Sequence, residues 1–254
     1  CFNILAKKTS PQWILEGDIR ACFDTIRHEW LENNVMMDKI ILKQWLKAGY
    51  VEKEAFHQTR SGAPQGGIAS PCLMNITLDG LEDVIKTLPG NIKGIKYVRY
   101  ADDWICTAPT KEVLVEKVLP AITKFLKVRG LELSKEKTKI THIEKGFDFL
   151  GFNMRKYKGK LLIKPAKTGI KTFLANIRKV IRQAQNADQL ISTLNLKIQG
   201  WANYYRHSVA KKTFSYINNS IFWAAWEWAK RRHPKKPYSW IKEKYYSNLS
   251  LNFY

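Results

Sequence analysis

The 254 residues carry 43 Lys and Arg against 22 Asp and Glu, a formal net charge of +21, and 45% of them are hydrophobic. That is enough apolar material for two domains of ordinary size, while no apolar run reaches the ~18 residues of a membrane helix and nothing resembles a signal peptide. Cys1, Cys22, Cys72 and Cys106, and His28, His57, His142, His207 and His233, are scattered without ligand spacing, which argues against a disulfide scaffold or a zinc site and for free thiols in a cytosolic chain.

The charge is uneven. Residues 151–254 hold 21 basic and 3 acidic residues, whereas residues 1–150 hold 22 and 19. A solvated face mixes both signs. A one-sided excess points to a polyanion, because basic side chains gain by displacing condensed counterions from phosphates. Nucleic acid is the expected partner, ahead of an acidic membrane surface.

In chain order, Trp13 to Ile19 reads as an apolar strand with Asp18 near its end. His28 to Lys47 has helical spacing throughout. Gly62 to Gly67 is a loop punctuated by Gly and Pro. Ser70 reads as an N-cap with Pro71 at the first helical position, opening a helix to about Ile85. Gly94 to Tyr100 and Trp104 to Ala108 read as two strands of a hairpin with Asp102 and Asp103 at its tip. Lys111 to Arg129 is an amphipathic helix stopped by Gly130, and Phe147 to Met154 is strand-like. Three helices are then predicted, about 167–185, 188–207 and 209–232, the last ended by Pro234 and Pro237. Pattern and charge change together near 155–165, so residues 1–160 and 161–254 are the expected domains.

The aspartates carry the chemistry. Two adjacent acids at a hairpin tip repel each other unless a cation sits between them. Mg²⁺ takes one or two protein carboxylates together with phosphate oxygens. Two such ions stabilise both the attacking and the leaving oxygen of phosphoryl transfer. On residue types alone, Asp102-Asp103 reads first as turn chemistry and Asp18 as a helix-capping or surface acid.

Three segments in order carry a resemblance: Asp18-Ile19-Arg20-Ala21-Cys22-Phe23-Asp24, then Ser61-Gly62-Ala63-Pro64-Gln65-Gly66-Gly67-Ile68-Ala69-Ser70-Pro71, then Tyr100-Ala101-Asp102-Asp103. Together they resemble the reverse transcriptases encoded by group II introns, and the likeness continues through Leu133 to Ile140, Phe147 to Phe152 and Gly200 to Arg206. The resemblance implies an α+β right-hand polymerase palm with an antiparallel sheet, followed by an all-α basic thumb, the maturase or X domain. It implies an RNA-directed DNA polymerase that also binds its intron RNA to assist splicing and mobility.

By the same resemblance, two Mg²⁺ ions, for which Mn²⁺ can substitute, would be held by Asp18, Asp102 and the backbone carbonyl of Ile19, with Asp103 in support. Lys137 would neutralise or protonate the leaving pyrophosphate. Phe23 would be the steric gate against a ribose 2′-hydroxyl, and Gln65, Gly66 and Gly67 would line the nucleotide pocket. Phe149, Leu150, Gly151 and Phe152 resemble the primer grip. Trp201, Tyr204, Tyr205 and Arg206 would meet primer or RNA, and Lys230, Arg231, Arg232, Lys235 and Lys236 would contact phosphates. From the residues alone, Phe23 reads first as a core aromatic and Trp223, Trp226 and Trp228 as thumb core, Phe149 and Phe152 also read as core strand residues, and Lys135, Lys137 and Lys139 read equally as a solvated face.

The implied partners are group II intron RNA, an RNA template with its DNA primer, deoxynucleoside triphosphates and target DNA, without a membrane. The implied location is the bacterial cytosol or nucleoid, or an organelle. The family's fingers region would precede Asp18, where this chain has 17 residues, so fingers are expected to be missing here, as is an endonuclease segment after Tyr254. Two rival readings share the residues: a non-catalytic maturase scaffold that only binds RNA, and a reverse transcriptase of a defence or CRISPR-associated system.

Overall fold

A computed structural model describes residues 2–7, 9–52, 55–57, 61–63, 67–90, 92 and 94–246. The architecture is α+β, as expected. A short helix α1 (Phe2–Leu5) precedes strand β1 (Trp13–Gly17), which is followed by α2 (Cys22–Thr25), α3 (His28–Asn34) and α4 (Lys39–Lys47). The hairpin β2 (Tyr50–Glu52) and β3 (Ala55–His57) leads to α5 (Ser70–Leu78) and α6 (Leu81–Lys86). Next come β4 (Lys96–Tyr100) and β5 (Asp103–Ala108), then a long helical segment of α7 (Lys111–Val113), a π turn (Leu114–Val118) and α8 (Leu119–Val128). Strands β6 (Lys139–His142), β7 (Phe147–Phe149), β8 (Phe152–Tyr157) and β9 (Lys160–Pro165) follow. Four helices close the chain: α9 (Lys167–Gln183), α10 (Ala187–Tyr205), α11 (Lys211–Arg232) and α12 (Tyr238–Tyr246).

The main sheet has strand order β4-β5-β1-β6, and its pairs are antiparallel. Strands β7-β8-β9 form a second sheet. The chain divides into two compact units, Cys1–Phe147 with Lys156–Leu161 and Asp148–Arg155 with Leu162–Tyr254. The first buries Leu15, Leu42, Leu78, Trp104, Cys106 and Leu126 in one apolar core. The second buries Leu174, Ile177, Leu194, Ile217, Ile221 and Ile241 in another. Among the described residues, no helix is long and apolar enough to cross a membrane.

Several elements differ from their predicted form. The helix expected over His28 to Lys47 is broken at Val35, whose extended backbone ends α3. Asp38 then caps α4, its carboxylate accepting from the amides of Ile40 (2.8 Å) and Ile41 (3.0 Å). The helix from Ser70 breaks at Gly80, which takes φ +80. Ser70 is a buried helical residue, and the N-cap is Ala69 without a side-chain bond. Phe147 to Met154 is a tight hairpin, turned by Leu150 (φ +48) and Gly151 (φ +76). Pro237 introduces a further helix, α12, where it reads in the sequence as a stop.

Candidate active site

The position of Asp18 follows from strand register. β1 runs antiparallel to β5 with Gly17 opposite Trp104, and one further step of that register sets Asp18 opposite Asp103. A Cβ built on Gly17 would lie 1.9 Å from the Trp104 ring, so only glycine lets the strand close on that buried indole. In the neighbouring hairpin Tyr100 pairs with Asp103, which leaves Ala101 and Asp102 as the turn. Ala101 adopts φ +54, a left-handed backbone that costs an L residue about 1–2 kcal/mol.

Arg99 holds that turn from outside. Its guanidinium donates to the Ala101 carbonyl (3.1 Å) and to the Asn75 side-chain oxygen on α5 (2.8 Å). The motifs do not single out Arg99 or Asn75. The sequence signal is only that Arg99 flanks the acidic turn.

A second backbone link places Lys137. The Ser134 amide donates to the Asp18 carbonyl (2.8 Å), and the Thr138 amide donates to the Ser134 carbonyl (2.9 Å). This tight turn sets Lys137 Nζ 3.2 Å from Asp18 Oδ2. The lysine is largely solvated, so the pair adds at most about 1 kcal/mol of stability. The Arg20 amide bonds Glu132 (2.9 Å), flanking an Ile19–Leu133 bridge. The Ile19 carbonyl and the Arg20 N–H belong to one peptide group and point opposite ways, so that carbonyl points away from Glu132 and Leu133.

The electrostatics are those of crowded acids. Desolvation first, then the charges of Asp102 and Asp18, hold the Asp103 carboxyl above the usual carboxylate range, with Lys137 opposing. The Cys22 thiol is pushed up to about 12 by burial, then by Asp102 and Asp18. Among the described residues no three His, Cys, Asp or Glu side chains are gathered closely enough to cage a metal ion. Two carboxylates and a carbonyl are what hard divalent cations take from a protein when phosphate oxygens supply the rest. Asp18, Asp102 and Ile19 fit that donor set, and a cation there would relieve the repulsion that Asp103 registers.

The loop after Arg60 is fastened to α2. Ala63 N–H donates to the Phe23 carbonyl (2.7 Å), Gly62 N–H to Ile26 (2.8 Å) and the Ser61 hydroxyl to Asp24 (2.7 Å). His28 Nε2 lies 2.7 Å from the Gly62 carbonyl, and since a carbonyl only accepts, that nitrogen carries the hydrogen. A Cβ on Gly62 would sit 2.0 Å from the Phe23 carbonyl oxygen. Phe23 itself is half-buried, packed on the core at one side and open at the other. Gly67 accepts from the Ser70 amide (3.2 Å). Gln65 and Gly66 lie outside the described residues.

In the second unit the hairpin turn Leu150-Gly151 is gripped by a tyrosine pair from α10. Tyr204 donates its hydroxyl to the Leu150 carbonyl (2.8 Å) and Tyr205 donates to Gly151 (3.1 Å). Phe152 stacks on Tyr204 at 5.1 Å and meets the edge of Tyr205 at 5.0 Å. Trp201 continues the cluster, 4.4 Å from Tyr205 and 5.0 Å from Phe173. Tyr205 is 6% exposed, so the expectation that its ring meets RNA is corrected: ring and hydroxyl are used within the fold. Phe149 is likewise buried, while Tyr204 is 54% exposed.

The basic end of α11 also divides. Arg232 lies over Trp228 at 4.6 Å and donates to the Ala184 carbonyl (2.9 Å), which ties α11 to the end of α9. Arg231 is exposed, and Lys230 stands 5.3 Å over the Tyr238 ring. Of the three tryptophans read as thumb core, Trp228 is core and Trp226 is partly buried against it. Trp223 is 55% exposed and corrects that reading.

The family description "Reverse transcriptase (RNA-dependent DNA polymerase)" matches residues 2–154, and "Group II intron, maturase-specific domain" matches residues 170–246. The chain is similar to the group II intron-encoded protein LtrA of Lactococcus lactis subsp. cremoris, 27% identical over an alignment of 272 positions, gaps included, that covers 80% of this chain and 45% of that one. It is similar to an uncharacterized 91 kDa protein in the cob intron of Schizosaccharomyces pombe, 27% identical over an alignment of 277 positions, gaps included, that covers 76% of this chain and 34% of that one. It therefore spans less than half the length of these relatives. Among solved structures, telomerase from Candida albicans, in complex with a TWJ fragment of telomeric RNA, is similar with a TM-score of 0.49 and 14% identity over 96% of this chain and 50% of that one.

Proposed function

Because the chain belongs to the reverse transcriptase (RNA-dependent DNA polymerase) family, in the group that carries the group II intron maturase-specific domain, we propose that it forms the palm and thumb of an RNA-directed DNA polymerase that also binds intron RNA. The supporting observation is the β1–β5 register, which brings Asp18 beside the Asp102–Asp103 turn with Lys137 Nζ 3.2 Å from Asp18.

In this reading Asp18, Asp102 and the Ile19 carbonyl would hold the divalent ions, Mg²⁺ or Mn²⁺. Such ions, when bound, stabilise the attacking primer oxygen and the leaving oxygen of the triphosphate. Asp103 keeps the local field negative. Lys137 has the reach and exposure to place positive charge, or a proton, at the departing pyrophosphate. The open side of Phe23 faces the sugar of an incoming deoxynucleotide and excludes a 2′-hydroxyl, and Gln65, Gly66 and Gly67 are the residues proposed to line the nucleotide pocket. The Phe149–Phe152 hairpin, held by Tyr204 and Tyr205, presents the primer end, where fixed placement lowers the barrier. The exposed cations at 230, 231, 235 and 236 follow the backbone of template, primer, intron RNA or target DNA. The palm is residues 1–160 and the thumb 161–254, save that Asp148–Arg155 groups with the second compact unit.

The test is primer extension on an RNA template by the full-length parent protein with Mg²⁺ and deoxynucleotides. Asp102→Ala is expected to reduce extension to background while RNA affinity stays within about threefold, since that acid makes no phosphate contact of its own. A parent that binds structured RNA tightly and extends no primer would establish the scaffold reading instead.

A further inference from the structure

Between α11 and α12 lies an open groove of about 510 Å³, walled mainly by rings. Phe222, Trp226 and Tyr238 form a near-parallel ladder, with planes 18° apart at 6.2 Å and 22° apart at 5.8 Å. Trp223 and Tyr238, both on its wall, are 55% and 60% exposed and do not belong to the buried core. Exposed flat rings side by side are costly in water unless something covers them. What covers them is indicated by charge. Lys230 and Lys242 line the same groove, and one acid, Glu227, opposes them. The surrounding region, residues 151–254, carries 21 basic and 3 acidic residues. An apolar protein segment leaves the lysine charges at the rim unused, whereas a base flanked by phosphates uses both rings and cations. The volume falls in the ~300–1,000 Å³ span of sites that take small molecules or single nucleotides.

We propose that this groove is a pocket for an unpaired nucleobase of single-stranded RNA, with Tyr238 and Trp223 stacking on the base and Lys230 and Lys242 meeting the flanking phosphates. It rests on the RNA-binding part of the proposed function and not on DNA synthesis. The pocket selects strandedness, since a paired base has both faces occupied by its neighbours and cannot enter.

The experiment uses the full-length parent protein with a single-stranded oligoribonucleotide carrying one 4-thiouridine, alongside a blunt RNA duplex of equal charge. One stacked base is worth roughly five- to a hundredfold in affinity, so Trp223→Ser combined with Tyr238→Ser is expected to weaken the single strand about tenfold. The duplex is expected to change by no more than about twofold, because its phosphate contacts remain. Tyr238→Phe, which keeps the ring, is expected to bind as the parent does, and the photo-cross-link is expected on α11 or α12. Unchanged circular dichroism melting establishes that the variants fold. Equal losses for strand and duplex, or no loss for either, would overturn the pocket. So would Trp223 already shielded from acrylamide in the RNA-free protein, read as the quenching difference from Trp223→Ser, because the chain itself would then fill the groove. Primer extension on a preformed template–primer is scored separately: its failure with strand-selective binding intact removes the polymerase reading and leaves the pocket standing.

Discussion

The two units bring their key groups together by different means. In the first, acids are placed by backbone: the β1–β5 register, the Ser134–Asp18 hydrogen bond and a left-handed Ala101 do the positioning. In the second, rings and hydroxyls reach across sequence, as Tyr204 and Tyr205 do to Leu150 and Gly151. A backbone-built site is sensitive to an added methyl group or a lost tether. A ring-built clamp is sensitive to a lost ring and tolerant of a lost hydroxyl.

Three substitutions test that contrast. The largest effect is expected from Gly17→Ala, whose Cβ would enter the Trp104 ring. Overpacking of this kind costs about 3 kcal/mol, and hydrogen-exchange protection of the β1 and β5 amides is expected to fall accordingly. Unchanged protection would mean that the register is not fastened at Gly17. Next, Arg99→Met removes charged donors to Ala101 and Asn75. A charge-assisted bond is worth about 1.5–3 kcal/mol, so the maximal extension rate of the parent protein is expected to drop at least about tenfold. The Michaelis constant for deoxynucleotide and the RNA affinity are expected to stay put, and a rise in the Michaelis constant alone would refute the tether. The smallest effect is expected from Tyr205→Phe, which keeps every ring contact and loses one 3.1 Å bond to a carbonyl that still accepts from Ala166 (2.8 Å). About 1 kcal/mol in denaturant unfolding is the expected loss; a loss near that of Gly17→Ala would erase the distinction between the two designs.

The parts of the fold legible in sequence are those whose cause is local. The hairpin around Ala101 and Asp102 shows in the apolar strands that flank it, and Gly130 marks the end of its helix, with φ +81. The break between α3 and α4 is masked because Val35, Met36 and Met37 keep apolar residues at helical spacing. Asp38, the cap, is the one local signal for it. Gly80 marks the next break in the same way. Pro237 has two local meanings, stop or start, and only packing of Ile241 in the second core selects the start. Tyr205 was out of reach on other grounds. Its pattern, Tyr-Tyr-Arg in a basic region, is that of a nucleic-acid surface, whereas its partner is Gly151, 54 residues upstream. The carboxylate site was legible as motifs, but Arg99 and Asn75 act through a contact that spans 24 residues and leaves no spacing to read.

The pairing of Gly17 with Trp104 sets a limit on how this chain can change in length. Side chains alternate along a strand, so one residue inserted between Trp13 and Gly17 would turn Asp18 to the opposite face. Two would restore the face and slide the carboxylate about 7 Å along the sheet, beyond any cation shared with Asp102. Deletions do the same in reverse. The five residues of β1 therefore act as a fixed-length spacer ahead of Asp18. A residue added before Trp13 leaves the spacing from the strand to Asp18 unchanged, whereas one added just after Gly17 displaces Asp18 from its Ser134 tether.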